Sequence, residues 1–184
     1  MTRSNRKLFR DMAGVKLDVG CGTNKQPGYV GLDRVQTPGV DIVHDIQKFP
    51  WPVPSGSCSS ILMSRVWEYV EPKHRDRLMN ELWRVCRHDG QLLLASPYAG
   101  TLLANSGNHY SCPTELTFLA YTPDWPTITI GRQAYPLYLA GQVKPWKIVR
   151  NEPNFAGFIE VILEPYKSKD NRVCLPKARD SGKK

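Results

Sequence analysis

Long hydrophobic runs are missing from this 184-residue chain: no apolar stretch approaches the ~18 residues a membrane-spanning helix needs, so no membrane association is expected. A secretory leader is not expected either, because the basic stretch from Met1 to Arg10 is not followed by an apolar core. The five cysteines (Cys21, Cys58, Cys86, Cys112 and Cys174) form no CxxC pair and lie at least 26 residues apart. That spacing excludes a zinc knuckle, argues against a disulfide framework and fits a reducing, cytoplasmic compartment, with no metal expected. Internal repeats and long low-complexity segments are absent. With 41% apolar and 23% charged residues the chain has ordinary globular composition, which excludes wholesale disorder.

The net charge of +8 is unevenly placed. Residues 1–10 hold Arg3, Arg6, Lys7 and Arg10 and no acid, and residues 167–184 hold seven bases against Asp170 and Asp180. Residues 11–166 therefore sum to −1. A basic N-terminal arm (1–14), one domain (15–166) and a basic, flexible tail (167–184) are expected. The ends permit weak nucleic-acid contact by charge alone, but a solvated tail is the simpler reading.

What is there reads as alternating strands and turns. Residues 15–19 (VKLDV), 29–33 (YVGLD), 40–44 (VDIVH) and 58–64 (CSSILMS) are short apolar strands. Residues 49–54 (FPWPVP) suit neither a helix nor a central strand, since proline removes donors and fixes φ. Between Pro72 and His88 the apolar residues Leu78, Met79, Leu82, Trp83, Val85 and Cys86 fall on one helical face. Arg84, Arg87 and His88 suit the last turn of that helix, and Asp89-Gly90 should stop it. Residues 91–96 (QLLLAS) then read as a strand buried on both faces. A short helix over 113–120 and two strands, 147–150 and 157–164, joined by a turn at 151–154, complete the chain. The expected fold is α/β: a single Rossmann-like, twisted, mostly parallel sheet of six or seven strands with a C-terminal antiparallel hairpin.

The best-defined chemistry lies at Asp18-Val19-Gly20-Cys21-Gly22. A strand that ends in Gly-x-Gly lets backbone approach a ligand closely, and open α/β sheets bind ligands beyond the carboxyl ends of their strands. A dinucleotide fingerprint needs a third glycine where Lys25 stands, and its ribose acid lies about 20 residues on, whereas Asp33 follows Gly22 by 11. No phosphate-binding G-x-x-x-x-G-K-[ST] loop occurs. Asp18 can face an ammonium, Asp33 can accept two ribose hydroxyls, and Asp45 can accept an adenine amino hydrogen with Ile46 against the ring. This is a site for a nucleoside with a cationic amino-acid arm. As alternatives to function, Gly20 and Gly22 can make a tight turn, Asp18 can cap a loop, Cys21 can fill space, and Trp51, Trp67 and Trp83 can be core.

At this point LDVGCGTNKQPGYVGLD, VHDIQKFPWP, ILMSRVWEYVEP and LWRVCRHDGQLLLASPY, in this order, resemble the successive motifs of class I S-adenosylmethionine-dependent methyltransferases. The resemblance covers residues 15–98. It implies S-adenosyl-L-methionine as cofactor and S-adenosyl-L-homocysteine as product. Asp18, Gly20, Cys21, Gly22, Asp33, Arg34, Asp45, Ile46 and Ser64 are then the cofactor-binding set. It also implies departures: Arg65 and Tyr69 replace histidines of many relatives, no helix fits between the first two strands, and the usual N-terminal lid helices are missing. Residues 98–145 are expected to supply the lid and, with residues 64–68 and 96–98, the acceptor pocket, with His109 toward the cofactor sulfur.

Methyl transfer is an in-line displacement that mainly demands positioning, and a protonated acceptor also demands a base. Glu68, Tyr98 and His109 are the catalytic candidates. The acceptor (small molecule, protein or RNA) is not identified by the sequence. No [DN]PP[YF] or Pro-Cys motif of base methylation is present. A cofactor-binding module without turnover and, less favoured, a nicotinamide-dependent enzyme are the alternative readings.

Overall fold

The structure, a computed structural model, describes residues 9, 14–124, 127–130, 133–136, 138 and 141–175. Most of the basic arm (1–14), Trp125 and residues 176–184 lie outside the described residues. Among the described residues, no helix is long and apolar enough to cross a membrane.

Strands β1 (Val15–Val19), β2 (Val30–Asp33), β3 (Val40–Val43), β4 (Cys58–Ser64) and β5 (Cys86–Pro97) are parallel, and β8 (Trp146–Pro153) and β9 (Phe158–Pro165) close the sheet antiparallel. The strand order β3-β2-β1-β4-β5-β9-β8 reverses direction between β1 and β4, so a crevice opens at their carboxyl ends. This is the expected mostly parallel sheet with a C-terminal hairpin. Helix α1 (Arg75–Val85) precedes β5, helix α2 (Glu115–Leu119) follows it, and a small separate hairpin, β6 (Thr127–Ile130) and β7 (Gln133–Pro136), lies in the long insertion before β8.

The two faces of the sheet differ. Leu17, Ile61, Leu92 and Leu163 are register partners on one face, and all are fully buried in one core with Leu78, Met79 and Leu82 of α1. On the opposite face Leu62, Leu93 and Ile162 are aligned with Asp18 and are only half-buried, and Lys16 is exposed. The expectation that residues 91–96 are buried on both faces therefore needs correction. The chain has no helix between β1 and β2, as the spacing requires, and that crossover is missing from the cover of this face.

Three boundaries also differ from expectation. Asp89-Gly90 does not end α1; the helix stops at Val85, and Cys86 already pairs with Cys58. Residues 87–90 bulge out before pairing resumes at Ser60 and Gln91. The terminal hairpin is longer than expected, with its turn at 154–157. The tail does not leave at Lys167 either. That residue is only 7% exposed, and its ammonium donates to the carbonyl oxygens of Trp83 (2.8 Å), Arg84 (3.1 Å) and Cys86 (2.6 Å). It thereby satisfies the acceptors that the end of α1 leaves open, in front of the Trp83 ring.

Candidate functional site

At the end of β1 the chain turns across the end of β2: Gly20 N–H donates to the Leu32 carbonyl (2.7 Å). Gly20 and Gly22 have φ of +70° and +53°, and a Cβ on Gly20 would meet Val66 Cγ2 at 2.5 Å. Nothing stands within 4 Å of a Cβ on Gly22, so the loop presents bare backbone to open space. Asp33 holds this loop: its Oδ2 accepts from Gly22 N–H (2.9 Å) and its Oδ1 from Val35 N–H (2.9 Å). Thr37 adds a bond from its hydroxyl to the Gly22 carbonyl (2.9 Å).

Two cavities meet here. One, of about 180 Å³, is bordered by Asp33, Arg34, Asp45, Ile46 and Gln47 on one side and by Val66 and Val70 on the other. The second, of about 400 Å³, is bordered by Asp18, Cys21, Gly22, Thr23, Asn24, Gln26 and Ser64. Gly20, Arg65 and Tyr69 border both. The structure thus brings all nine sequence-predicted cofactor residues to two adjoining cavities at the crevice.

Each wall is braced. Asp45 Oδ1 accepts from Gln47 N–H (3.0 Å), the Trp51 indole donates to the Ile46 carbonyl (2.9 Å), and Gln47 Oε1 accepts from Glu71 N–H (3.0 Å). Trp51 is fixed in turn by Glu81 and Arg84 of α1, which grip residues 51–55. Asp18 Oδ2 accepts from Gln26 N–H (2.8 Å), so it both caps the loop and borders the second cavity. Burial raises its pKa above the ordinary value, which a cationic ligand group would oppose. Burial, reinforced by the charges of Asp18 and Asp33, pushes the Cys21 thiol up to about 11; it is a packed thiol rather than a nucleophile. Lys25, at the place of a dinucleotide fold's third glycine, is paired with Asp41 (2.9 Å).

The catalytic candidates lie elsewhere. Glu68 is 1% exposed behind the cavities, its carboxylate accepting from the buried Ser96 hydroxyl (2.9 Å), and burial raises its pKa. Tyr98 donates its hydroxyl to Glu115 (2.9 Å), a bond that raises its pKa, and it borders neither cavity. His109 is half-buried behind Tyr69, with Nε2 3.3 Å from the Tyr69 hydroxyl. The expected pocket over 98–145 also needs correction: among the described residues none of that segment borders either cavity. It is pinned instead against the 3₁₀ turn Trp67–Tyr69, with Tyr110 N–H donating to the Glu68 carbonyl (2.8 Å). Arg65, expected in the acceptor pocket, and Tyr69, which sequence reasoning named only as a departure, border both cavities. Arg65 has φ of +56°, a strained conformation for a residue with a side chain, and its N–H donates to Ala95 (2.7 Å).

Residues 17–94 match a family model described as "Methyltransferase domain". No curated protein sequence matches the chain. Among solved structures, the PH0226 protein from Pyrococcus horikoshii OT3 is similar over 85% of this chain and 84% of its own, with 15% identity and a TM-score of 0.50. The pyocyanin biosynthetic protein PhzM is similar over 88% of this chain and 54% of its own, with 13% identity and a TM-score of 0.52. At these identities the likeness is one of fold.

Proposed function

We propose that the chain is a class I S-adenosylmethionine-dependent methyltransferase, an active enzyme which binds S-adenosyl-L-methionine across the two cavities and methylates an acceptor entering beside Arg65 and Tyr69; the methyltransferase domain matched over residues 17–94 and the fold support this reading. The observation that carries the reading is Asp33, whose carboxylate borders the smaller cavity while two backbone N–H groups hold it in place.

The residues present fit this cofactor. Ile46, Val66 and Val70 offer apolar walls, and Asp33 and Asp45 offer acceptors for hydroxyl and amino hydrogens. Gly20 and Gly22 add no side chain at this end of the cavities, where a Cβ on Gly20 would run into Val66. In the larger cavity the buried Asp18 carboxylate suits an ammonium. When bound, S-adenosylmethionine supplies a methyl group activated by a positively charged sulfur. The chain's task is then to fix the ribose through Asp33, hold the amino-acid end near Asp18 and exclude water from the junction where Gly20, Arg65 and Tyr69 meet.

Calorimetry with S-adenosylhomocysteine, with NADH and ATP as controls, tests the reading. Asp33→Ala removes acceptors for charge-assisted hydrogen bonds worth about 1.5–3 kcal/mol each, so affinity should fall at least about tenfold. An unchanged dissociation constant in a folded Asp33→Ala protein, or tighter binding of NADH than of S-adenosylhomocysteine, overturns it.

A further inference from the structure

Tyr69 stands where the two cavities join, and its ring is 48% exposed. Behind it His109 packs edge-on, with ring centroids 5.0 Å apart and Nε2 3.3 Å from the phenolic oxygen. The other imidazole nitrogen, Nδ1, lies 3.4 Å from the Ala104 carbonyl oxygen and 3.5 Å from Cys112 Sγ. A proton on Nδ1 satisfies the Ala104 carbonyl, which can only accept, and leaves the Nε2 lone pair to the Tyr69 hydroxyl. The charged and titratable groups around the pair are few. Glu68, on the Tyr69 turn, puts a buried carboxylate in electrostatic contact with His109; Arg65, on the same segment, flanks the cavity side. Cys112, from the following loop, is held in its thiol form by burial, with the Arg75 guanidinium of α1 close by and donating to Ser111, and Tyr110 is exposed beside His109 with Lys73 near it. The loop is held to the turn by the bond from Tyr110 N–H to the Glu68 carbonyl, so the pair sits on a fixed frame.

We infer that Tyr69 and His109 form a proton-accepting dyad, with Tyr69 as the catalytic residue and His109 as the group that positions it and stores the proton. The acceptor is accordingly a molecule whose attacking atom still carries a proton, a hydroxyl oxygen or a protonated nitrogen. This rests on the methyl-transfer reading above. As the acceptor's electron pair forms its bond to the methyl carbon, the carbon–sulfur bond breaks and its pair stays on sulfur. The acceptor's proton passes to the Tyr69 oxygen while the Tyr69 proton moves to Nε2 of His109. The positive charge lost from sulfur reappears on the imidazolium, facing the Glu68 carboxylate, and the proton then leaves to water. Tyr98 cannot serve here, because its hydroxyl is committed to Glu115 outside both cavities.

The test reads the imidazole nitrogens of the full-length, ¹⁵N-histidine-labelled protein by NMR, with His109→Gln to assign the resonance. The neutral His109 ring should be protonated on Nδ1, and Tyr69→Phe, folded by an unchanged melting temperature, should shift its Nε2 resonance. S-adenosylmethionine and S-adenosylhomocysteine differ in the methyl group and the charge it places on sulfur. The His109 Nε2 resonance should therefore differ between the two complexes at one pH, as a charge placed within reach of the dyad requires. Identical resonances in both complexes would place the ring out of reach of the methyl-bearing sulfur, and that result overturns the proposal. So does a neutral ring protonated on Nε2. If calorimetry detects no binding of either compound, the methyl-transfer reading fails and the catalytic assignment of the dyad fails with it, even where the tautomer is as expected.

Discussion

Glu81 offers the sharpest quantitative test of how the fold supports the site. Its carboxylate, in a residue only 6% exposed, accepts from Trp51 N–H at 2.5 Å and from Arg84 Nη2 at 2.6 Å through one oxygen, and from Arg84 Nε at 2.9 Å through the other. Arg84 in turn donates to the carbonyls of Trp51 and Val53 and to the Ser55 hydroxyl. Glu81→Ala leaves a buried N–H without an acceptor, a loss of about 1–3 kcal/mol. It also leaves a guanidinium without its counter-charge, which in a fully buried pair costs about 3–5 kcal/mol. Arg84 is partly exposed and keeps its three other acceptors, so the low end of both ranges applies and the total is about 4 kcal/mol. For a domain of this size each kcal/mol moves the melting temperature by roughly 2–4 °C, which gives a fall of about 8–16 °C by calorimetry or circular dichroism. Because the Trp51 indole holds the Ile46 carbonyl, S-adenosylhomocysteine affinity should fall as well, although Glu81 touches neither ligand cavity. Glu81→Gln keeps one acceptor for Trp51 and should lie between the two. A Glu81→Ala protein that melts within roughly 2 °C of the parent, or a Gln variant less stable than the Ala one, refutes the clamp argument.

Two further predictions concern buried titratable groups. Burial raises the Glu68 carboxyl above its ordinary value of 4.5. The unfolded chain thus loses this proton first, and stability contributed by Glu68 falls as pH rises from 4.5 until the folded carboxyl ionises too. Glu68→Gln, whose amide oxygen can still accept from Ser96, should have a higher denaturant midpoint than the parent at pH 7 and an equal one at pH 4; equal midpoints at both pH values would refute this. Lys167 has the opposite sign: burial pulls its ammonium from 10.5 down to about 8, so the unfolded chain binds more protons between these values and stability from this group rises across that window. The stability of the parent relative to Lys167→Met should therefore grow from pH 8 to pH 10.5 in parallel unfolding titrations, and a constant difference would show that the ammonium is not desolvated.

The first four strands were legible because each is a short, largely apolar run between turn residues, and Asp33 and Asp45, at the end of β2 and just after β3, are among the residues that border the cavities. The end of α1 was not legible. Arg87, His88 and Asp89-Gly90 look like a helix terminus, but the acceptors there are satisfied by Lys167, more than eighty residues away, and Cys86 is drawn into pairing with Cys58. No local signal announces a partner so distant in sequence. One catalytic candidate, Tyr98, lies apart from the cavities for a similar reason. Tyr98 follows a strand end at the ligand side, yet Glu115 takes its hydroxyl. Tyr69 reaches the junction of the cavities only because the chain reverses at Arg65 with positive φ, a conformation that nothing in the residue type suggests.

The place of the last strand has a consequence for synthesis. A chain leaves the ribosome N-terminus first, and here β9 lies between β5 and β8 rather than at an edge, while the ammonium that seals α1 belongs to residue 167. Until some 165 residues have emerged, the hydrogen-bonding edge of β5 has no neighbour and the end of α1 keeps open acceptors. The glycine loop and its acids are made by residue 45 but rest on a sheet that is complete only once residues 158–165 have followed. Nascent chains stalled before residue 158 should therefore be protease-sensitive and depend on chaperones, whereas stalling after residue 175 should leave them resistant.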